Sequence, residues 1–340
     1  MKLKMTLLAA AIALSTNAMA NNESSIEQTG FGNHADATQY SGWFGGNNDS
    51  TIEQDGGNNQ ASALQSGLRN EATQLQEGWG NRSQVSQRDA FNEAVVNQSG
   101  INNESQVAQE GRNSAAMVNQ NGYYNTSSVY QAGGDYAAVT QDGQGNDSDV
   151  TQTGRDDVAL VTQTGSYHDS SVEQGGHDNY AKIEQSGFDQ DSTVTQRGQD
   201  NAATVYQSGA HNDSTISQRD ENNYATVSQS GFGQSSDIYQ SGESNFAETA
   251  QSGFNNDATV EQTGWDGDSY ITQSGYNDMA SVTQDGVGNE STITQGALGG
   301  FVGSMMSMAA NNATVVQHGY NNASTVTQTG GGNVANVYQY

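Results

Sequence analysis

A glutamine recurs at nearly constant spacing through almost the whole 340-residue chain. Taken as a register mark, it defines 28 units whose step is eleven residues at all but three places. The exceptions are a four-residue insertion around Trp43-Phe44-Gly45-Gly46, a one-residue deletion before Gln141 and a double step between Gln295 and Gln317. Such a repeat predicts small structural units that bury their inner faces by stacking on one another.

Four other positions of each unit are similarly restricted. Two residues before the glutamine stands Val or Ile in 24 of 28 units, with Ala37, Ala63, Gln74 and Thr249 as exceptions. Four residues before it stands Ser or Ala in all 28, and six before it Asn in 20. Gly follows two residues after the glutamine in 23 of 27 units. Because these positions share one parity, they predict one face of a β-strand running roughly from the Asn to the Gln.

Two consecutive units, joined at the Gly, are predicted to form one strand-turn-strand layer of about 22 residues. Ser and Ala alternate at their shared position, which distinguishes the two strands of a layer. The alternation slips twice, where Ala61 is followed by Ala72 and Ala247 by Ala258. Stacking such layers gives an all-β solenoid of cross-β type, in which like residues lie above like.

The inner face determines the candidate structural residues. Asn and Gln amides are expected to form hydrogen-bonded ladders along the stack. Representative ladder residues are Gln28, Asn33, Gln39, Gln196, Asn201, Gln207, Gln328, Asn333 and Gln339. Turns are expected at Gly30, Gly198, Gly209 and Gly330, because glycine supplies the positive φ of a tight turn. The inward apolar stripe is represented by Val194, Val205, Val326 and Val337.

The first twenty residues differ from the repeats. Lys2 and Lys4 precede an apolar run, and Ala18-Met19-Ala20 has the small-x-small pattern of a secretory cleavage site. We therefore expect a signal peptide over 1–20, cleaved between Ala20 and Asn21, and a repeat solenoid over 21–340. The apolar run is too short to span a membrane, and no other segment is predicted to do so.

Composition constrains the possible partners. The chain is only 32% hydrophobic and carries a net charge of −28, a balance typical of disorder that the repeats nevertheless override. Such acidity argues against a nucleic-acid partner. There is no cysteine, so disulfides and thiolate metal sites are excluded.

Candidate chemistry is sparse, and we expect no catalytic residue, cofactor or metal site. The five histidines are scattered and are interpreted as exposed turn residues. Acidic turns such as Asp156-Asp157 are interpreted as solvated charge, because the calcium-binding β-roll has a period of nine residues rather than eleven. The segment 296–310 breaks the register and is interpreted as one degenerate repeat.

Stacking also predicts how the chain behaves with other copies. Repeat register runs from Asn22 to Gln339, so open strand edges rather than polar caps are expected at both ends of the stack. Open edges of this kind are templates for further strands. The sequence thus favours a subunit that polymerises end to end.

The run QTGFGNHADATQ, from Gln28 to Gln39, resembles the curlin repeat, and the final NVANVYQY is similar to the end of a major curlin subunit. The resemblance covers residues 21–340. It implies a β-solenoid subunit of curli, the secreted amyloid fibres of Gram-negative biofilms. It also implies a nucleator subunit and an outer-membrane secretion channel as partners, with roles in cell adhesion and biofilm matrix at the cell surface; major and nucleator subunits both remain open.

Two other functions are considered. A monomeric β-solenoid surface binder, of ice-binding or adhesin type, would favour a regular Thr array, yet the residue before the glutamine is Thr in only nine of 28 units. A β-helical carbohydrate enzyme would favour long loops and clustered catalytic groups, which the sequence does not show. The leading hypothesis is the fibre subunit.

Overall fold

The computed structural model describes residues 21–41, 46–296 and 309–340. Within these ranges the chain consists of strands and turns without any helix. Two compact units are distinguished, Met1–Gly165 and Ser166–Tyr340. No helix in the described ranges is long and apolar enough to cross a membrane. The predicted signal peptide and its Ala20 lie outside these ranges, and Asn21 is exposed ahead of the first strand.

The strands of the first unit are β1 (Glu23–Phe31), β2 (His34–Ser41), β3 (Asp49–Gly57), β4 (Gln60–Leu68), β5 (Glu71–Trp79), β6 (Arg82–Ala90), β7 (Glu93–Ile101), β8 (Glu104–Gln109), β9 (Ala115–Tyr123), β10 (Thr126–Gln131), β11 (Tyr136–Gln144), β12 (Asp147–Gln152) and β13 (Val158–Ser166). Odd-numbered strands pair in parallel with odd-numbered ones, and even with even.

The strands of the second unit are β14 (Asp169–His177), β15 (Tyr180–Phe188), β16 (Asp191–Gln199), β17 (Ala202–Ala210), β18 (Asp213–Glu221), β19 (Tyr224–Phe232), β20 (Ser235–Glu243), β21 (Phe246–Phe254), β22 (Asp257–Trp265), β23 (Asp268–Tyr276), β24 (Met279–Val287), β25 (Glu290–Gly296), β26 (Asn312–Tyr320), β27 (Ala323–Thr329) and β28 (Val334–Gln339). The same odd-with-odd and even-with-even parallel pairing applies.

The pairing register confirms the predicted fold class. Gln196 of β16 lies level with Gln174 of β14 and Gln218 of β18, and all other positions of these strands follow the same one-to-one pairing. Each layer therefore consists of one strand in each of two parallel sheets. The 22-residue step along a sheet is that of a β-solenoid with two strands per turn.

Irregular spacing in the sequence does not disturb this register. Gln28 pairs with Gln54 across the insertion, most of which lies outside the described residues. Gln120 pairs with Gln141 across the deletion, and Gln284 with Gln317 across the double step. The degenerate segment lies mainly at 297–308, also outside the described residues. Extra or missing residues fall between strands, so the stacked columns continue unchanged.

The slips in the Ser/Ala alternation mark an exchange between the sheets. In the odd sheet Ser50 stacks on Ala72, while at the same level of the even sheet Ala61 stacks on Ser83. The serine column thus changes sheet without a change of strand register. The reverse exchange joins Ala247 to Ser269 in the odd sheet, and Ser236 to Ala258 in the even one.

Polar exceptions in the apolar stripe occur at these same two levels. Buried Gln74 donates from Nε2 to the backbone oxygen of Ser62, at 2.8 Å, and it lies in a region where the apolar column contains the small Ala63. Buried Thr249 shares a 2.7 Å hydroxyl hydrogen bond with Ser236. The Thr249 hydroxyl is thus paired, whereas the Oε1 of Gln74 is buried without a hydrogen-bond partner among the described residues. Strand pairing nevertheless continues one-to-one through both positions.

Candidate functional site

Glutamine side chains form continuous hydrogen-bonded columns through the interior of each unit. In every described link the Nε2 of one glutamine donates to the Oε1 of the glutamine in the following layer, at 2.6–3.0 Å. The sequence-predicted Gln28, Gln39, Gln196, Gln207, Gln328 and Gln339 all belong to these columns. The columns have one direction along the stack.

Most of the column glutamines also donate from Nε2 across the layer. Gln196 donates to the backbone oxygen of Tyr180 at 2.9 Å, and Gln207 to that of Asp191 at 2.8 Å. One amide therefore joins three strands: its own, the next strand of its sheet and a strand of the facing sheet. Full use of the buried amide offsets the cost of removing it from water.

Asparagines occupy the corners between strands, and they bind mainly the backbone. Asn59 Nδ2 donates to the carbonyl oxygens of Asp55 and Gly78, at 3.3 and 3.1 Å, and its Oδ1 accepts from the backbone N of Asn81 at 3.0 Å. Asn33 has the same contacts with Thr29, Gly56 and Asn59. Direct amide contacts add to this pattern at Asn201 and Asn333, which donate to Asn179 and Asn311. The asparagine columns therefore mainly bind the backbone at the corners, with direct hydrogen bonds between asparagine side chains only at some positions.

The apolar residues lie between the amide columns. Val194 and Val205 are fully buried, and Val326 is nearly so at 6% exposure. Val337, in the last described strand, is only half-buried. The interior is thus a narrow stripe of Val and Ile flanked by Ser or Ala and by amides.

Glycine bends the strand ahead of the tight turn. Gly30, Gly198 and Gly209 have φ of 111°, 129° and 106° but lie inside strands, which extend past the glutamine. Gly330, with φ of 97°, follows β27. The left-handed turn residue comes two positions later, for example Asp200 with φ of 55°. Identical bends in successive layers keep the backbone hydrogen bonds intact, so the strands are longer than the predicted Asn-to-Gln span.

Some corners contain residues other than Asn, and two expectations of exposure are wrong there. His168 occupies a corner position and is buried, as is Asp157. Both residues stand six positions before a glutamine, where the repeat predicts an inward side chain. Their polarity instead suggested that they were exposed. No cluster of three or more potential metal-ligating side chains occurs in the described ranges.

Two further corner carboxyls, Asp135 and Asp278, are also buried. Burial, with the negative charges of Asp157 and Asp156 nearby, raises the pKa of Asp135 to about 6 despite hydrogen bonds from the backbone. Burial likewise raises the pKa of Asp278, although Asn311 donates to its carboxyl. Both carboxyls are more readily protonated than an exposed aspartate.

An aromatic ladder on the surface of the second unit was not identified from the sequence. Its ring centroids lie 4.9–5.9 Å apart. The members are Tyr167, Phe188, His211, Phe232, Phe254 and Tyr276. They stand three or four residues after a glutamine of the odd sheet, and attention to the 22-residue period, rather than the eleven-residue one, would have revealed them.

The first and last layers differ from the interior layers in exposure. Inward-facing Ile26 and Gln28 of β1, and Val337 and Gln339 of β28, are half-exposed, whereas equivalent interior residues are buried. Within the described ranges β1 pairs only with β3, and β28 only with β26. Each of these layers therefore presents an open strand edge and an open section of the polar core.

The two open layers are complementary in hydrogen bonding. No described residue donates to Oε1 of Gln28 or Gln39, so the first layer presents acceptors. In the last layer Gln328 and Gln339 donate from Nε2 to backbone oxygens but not to a further glutamine, so their columns end in donors. A last layer placed on a first layer of another copy would continue both columns.

Comparison with protein families gives matches to the model described as curlin associated repeat. The matched residues are 20–56, 154–187, 189–219, 221–248, 242–275 and 309–340, which together cover more than half of the chain. Comparison with curated proteins finds no match.

Proposed function

The chain belongs to the curlin-associated repeat family, and we propose that it is a structural subunit of a secreted, curli-like amyloid fibre that grows end to end. The family and the β-solenoid fold are structural rather than enzymatic. The observation that carries the proposal is the pair of open, complementary layers. Heterologous contacts of this kind generate open filaments wherever successive copies do not close into a ring.

The family match supports a wider role as part of this proposal. We propose export by a signal peptide over 1–20 with cleavage after Ala20, and delivery to the cell surface through an outer-membrane channel. A nucleator subunit is the proposed starter of the fibre. Adhesion and biofilm matrix formation are the proposed roles of the product.

Seeded fibre growth tests the end-to-end mechanism. The variant Val337→Lys places an ammonium group in the half-buried core of the last layer, where Val337 would be covered by the next copy. Burial of an uncompensated charge costs several kcal/mol, so we expect elongation of the 21–340 chain to slow by about tenfold or more. The rate is measured from thioflavin fluorescence after addition of preformed seeds.

The matched control is Tyr338→Lys, which adds the same charge to an outward residue that is 58% exposed. It is expected to elongate at nearly the unmodified rate. Equal rates for the two variants would contradict growth through this layer. A chain that stays monomeric for days at micromolar concentration would instead favour the monomeric surface binder.

A further inference from the structure

The corner position favours a side chain that can donate hydrogen bonds to the backbone. Where it is Asn, Nδ2 points at two carbonyl oxygens, as Asn245 does with Ser241 and Gly264, at 3.3 and 3.0 Å. Oδ1 meanwhile accepts from the backbone N of the next corner residue. An ionised aspartate can supply the acceptor but not the donor, whereas a protonated carboxyl can supply both.

The side chains of Asp135 and Asp278 accept hydrogen bonds as a corner Asn does, but within the described residues they do not donate any. Oδ1 of Asp135 accepts from the backbone N of Asp157 at 3.2 Å, and Oδ1 of Asp278 accepts from the backbone N and Nδ2 of Asn311, at 2.9 and 3.0 Å. Within the described ranges the Oδ2 atoms of both aspartates are buried and lack a hydrogen-bond partner. The missing contacts are the ones that Nδ2 of Asn makes elsewhere.

Gly133 lies beside both Oδ2 of Asp135 and the carbonyl oxygen of Gly154 in the next layer. A Cβ placed on Gly133 would lie 3.0 Å from Oδ2 and overlap the oxygen of Gly154, which is the later of the two carbonyls that a corner Asn binds. The acidic groups of the next layer are Asp156 and Asp157, and both disfavour a negative charge on Asp135. Arg112 and Arg155, in the layers on either side, are exposed.

Asp278 is surrounded by amides. Its backbone N donates to Oδ1 of Asn256 at 3.0 Å, its backbone oxygen accepts from Gln273 at 2.9 Å, and Asn311 lies in the next layer. Its Oδ2 lies against Gly275. These neighbours carry no charge that could compensate an ionised carboxylate.

We propose that Asp135 and Asp278 are proton-binding sites, protonated in the folded solenoid in acid, where each then acts as an asparagine substitute and makes the solenoid more stable than at neutral pH. A carboxyl that binds a proton more tightly when folded stabilises the fold below its unfolded pKa, and this contribution is lost as pH rises through the folded pKa. For Asp135 the interval runs from the ordinary 3.8 to about 6. Across it, the folding equilibrium constant should fall by about 100-fold, since each pKa unit is tenfold.

Denaturant unfolding of the full 21–340 chain at several pH values between 4 and 7 tests this proposal. We expect unmodified protein to lose stability over this range, and Asp135→Asn/Asp278→Asn to lose about 100-fold less, because the amide supplies the donor at every pH. The control Asp178→Asn/Asp200→Asn removes two charges from exposed turns and should retain the pH dependence of the unmodified chain.

Equal pH dependence in the unmodified chain and in Asp135→Asn/Asp278→Asn would overturn the proposal. If the double variant does not fold, infrared spectra of the unmodified chain and of each single variant decide the question. A protonated-carboxyl band at pH 5 that weakens in Asp135→Asn or Asp278→Asn supports the proposal, and its persistence in both contradicts it. Neither measurement requires fibre growth, so the outcome is separate from that of the proposed fibre function.

Discussion

Replacing Gln196 by Leu is expected to destabilise the solenoid by roughly 3–9 kcal/mol, because it leaves three buried polar partners unsatisfied at a cost of about 1–3 kcal/mol each. Gln196 accepts from Gln174 at 2.8 Å, donates to Gln218 at 2.8 Å and donates to the Tyr180 carbonyl at 2.9 Å. Leu fills a similar volume but makes none of these three bonds. The loss therefore arises from polar groups rather than from packing.

The free energy of unfolding from a denaturant titration measures this effect. The control is Gln199→Leu, an exposed glutamine at the end of the same strand, which should change stability by no more than about 0.5 kcal/mol. Hydrogen exchange should locate the damage in β14, β16 and β18, since each layer contacts chiefly its neighbours. Equal losses in the two variants would show that the glutamine columns contribute nothing specific.

The sequence predicts the solenoid well because the repeat itself specifies the contacts. A residue that stacks on its own copy needs no knowledge of distant chain segments, so parity and period were sufficient to place Gln196 and Val194 in the interior. The same reasoning gives the 22-residue layer and the stacking of like residues above like. It does not give the length of a strand, because backbone pairing continues beyond the restricted positions.

Features that depend on several layers at once were harder to predict. The Ser/Ala slips are visible in the sequence, but only the pairing of Ser50 with Ala72 shows that a column changes sheet. Burial of His168 and Asp157 follows from position, whereas their polarity suggested exposure. The direction of the glutamine columns, on which the proposed end-to-end growth rests, requires atomic positions.

Replacing Gly209 by Ala is expected to destabilise the solenoid by about 2–5 kcal/mol, the sum of left-handed backbone strain and overpacking. Gly209 has φ of 106°, and a Cβ there would overlap the carbonyl oxygen of Gly231 in the next layer. At the same repeat position in the even sheet, the non-glycine residues Asp89 and Asp220 have φ of only 66° and 71°. An alanine must therefore shift the backbone of its own layer against neighbours that keep the glycine geometry.

Asp89→Ala is the matched control, because this position already contains a Cβ in the tolerated conformation. It should change stability by less than about 1 kcal/mol, as for ordinary surface substitutions. Denaturant titration of both variants measures the difference, and a loss at Gly209 no larger than at Asp89 would contradict the steric explanation. Since the clash involves the next layer along the stack, Gly209→Ala should also reduce hydrogen-exchange protection in β19, beyond the strand that carries the substitution.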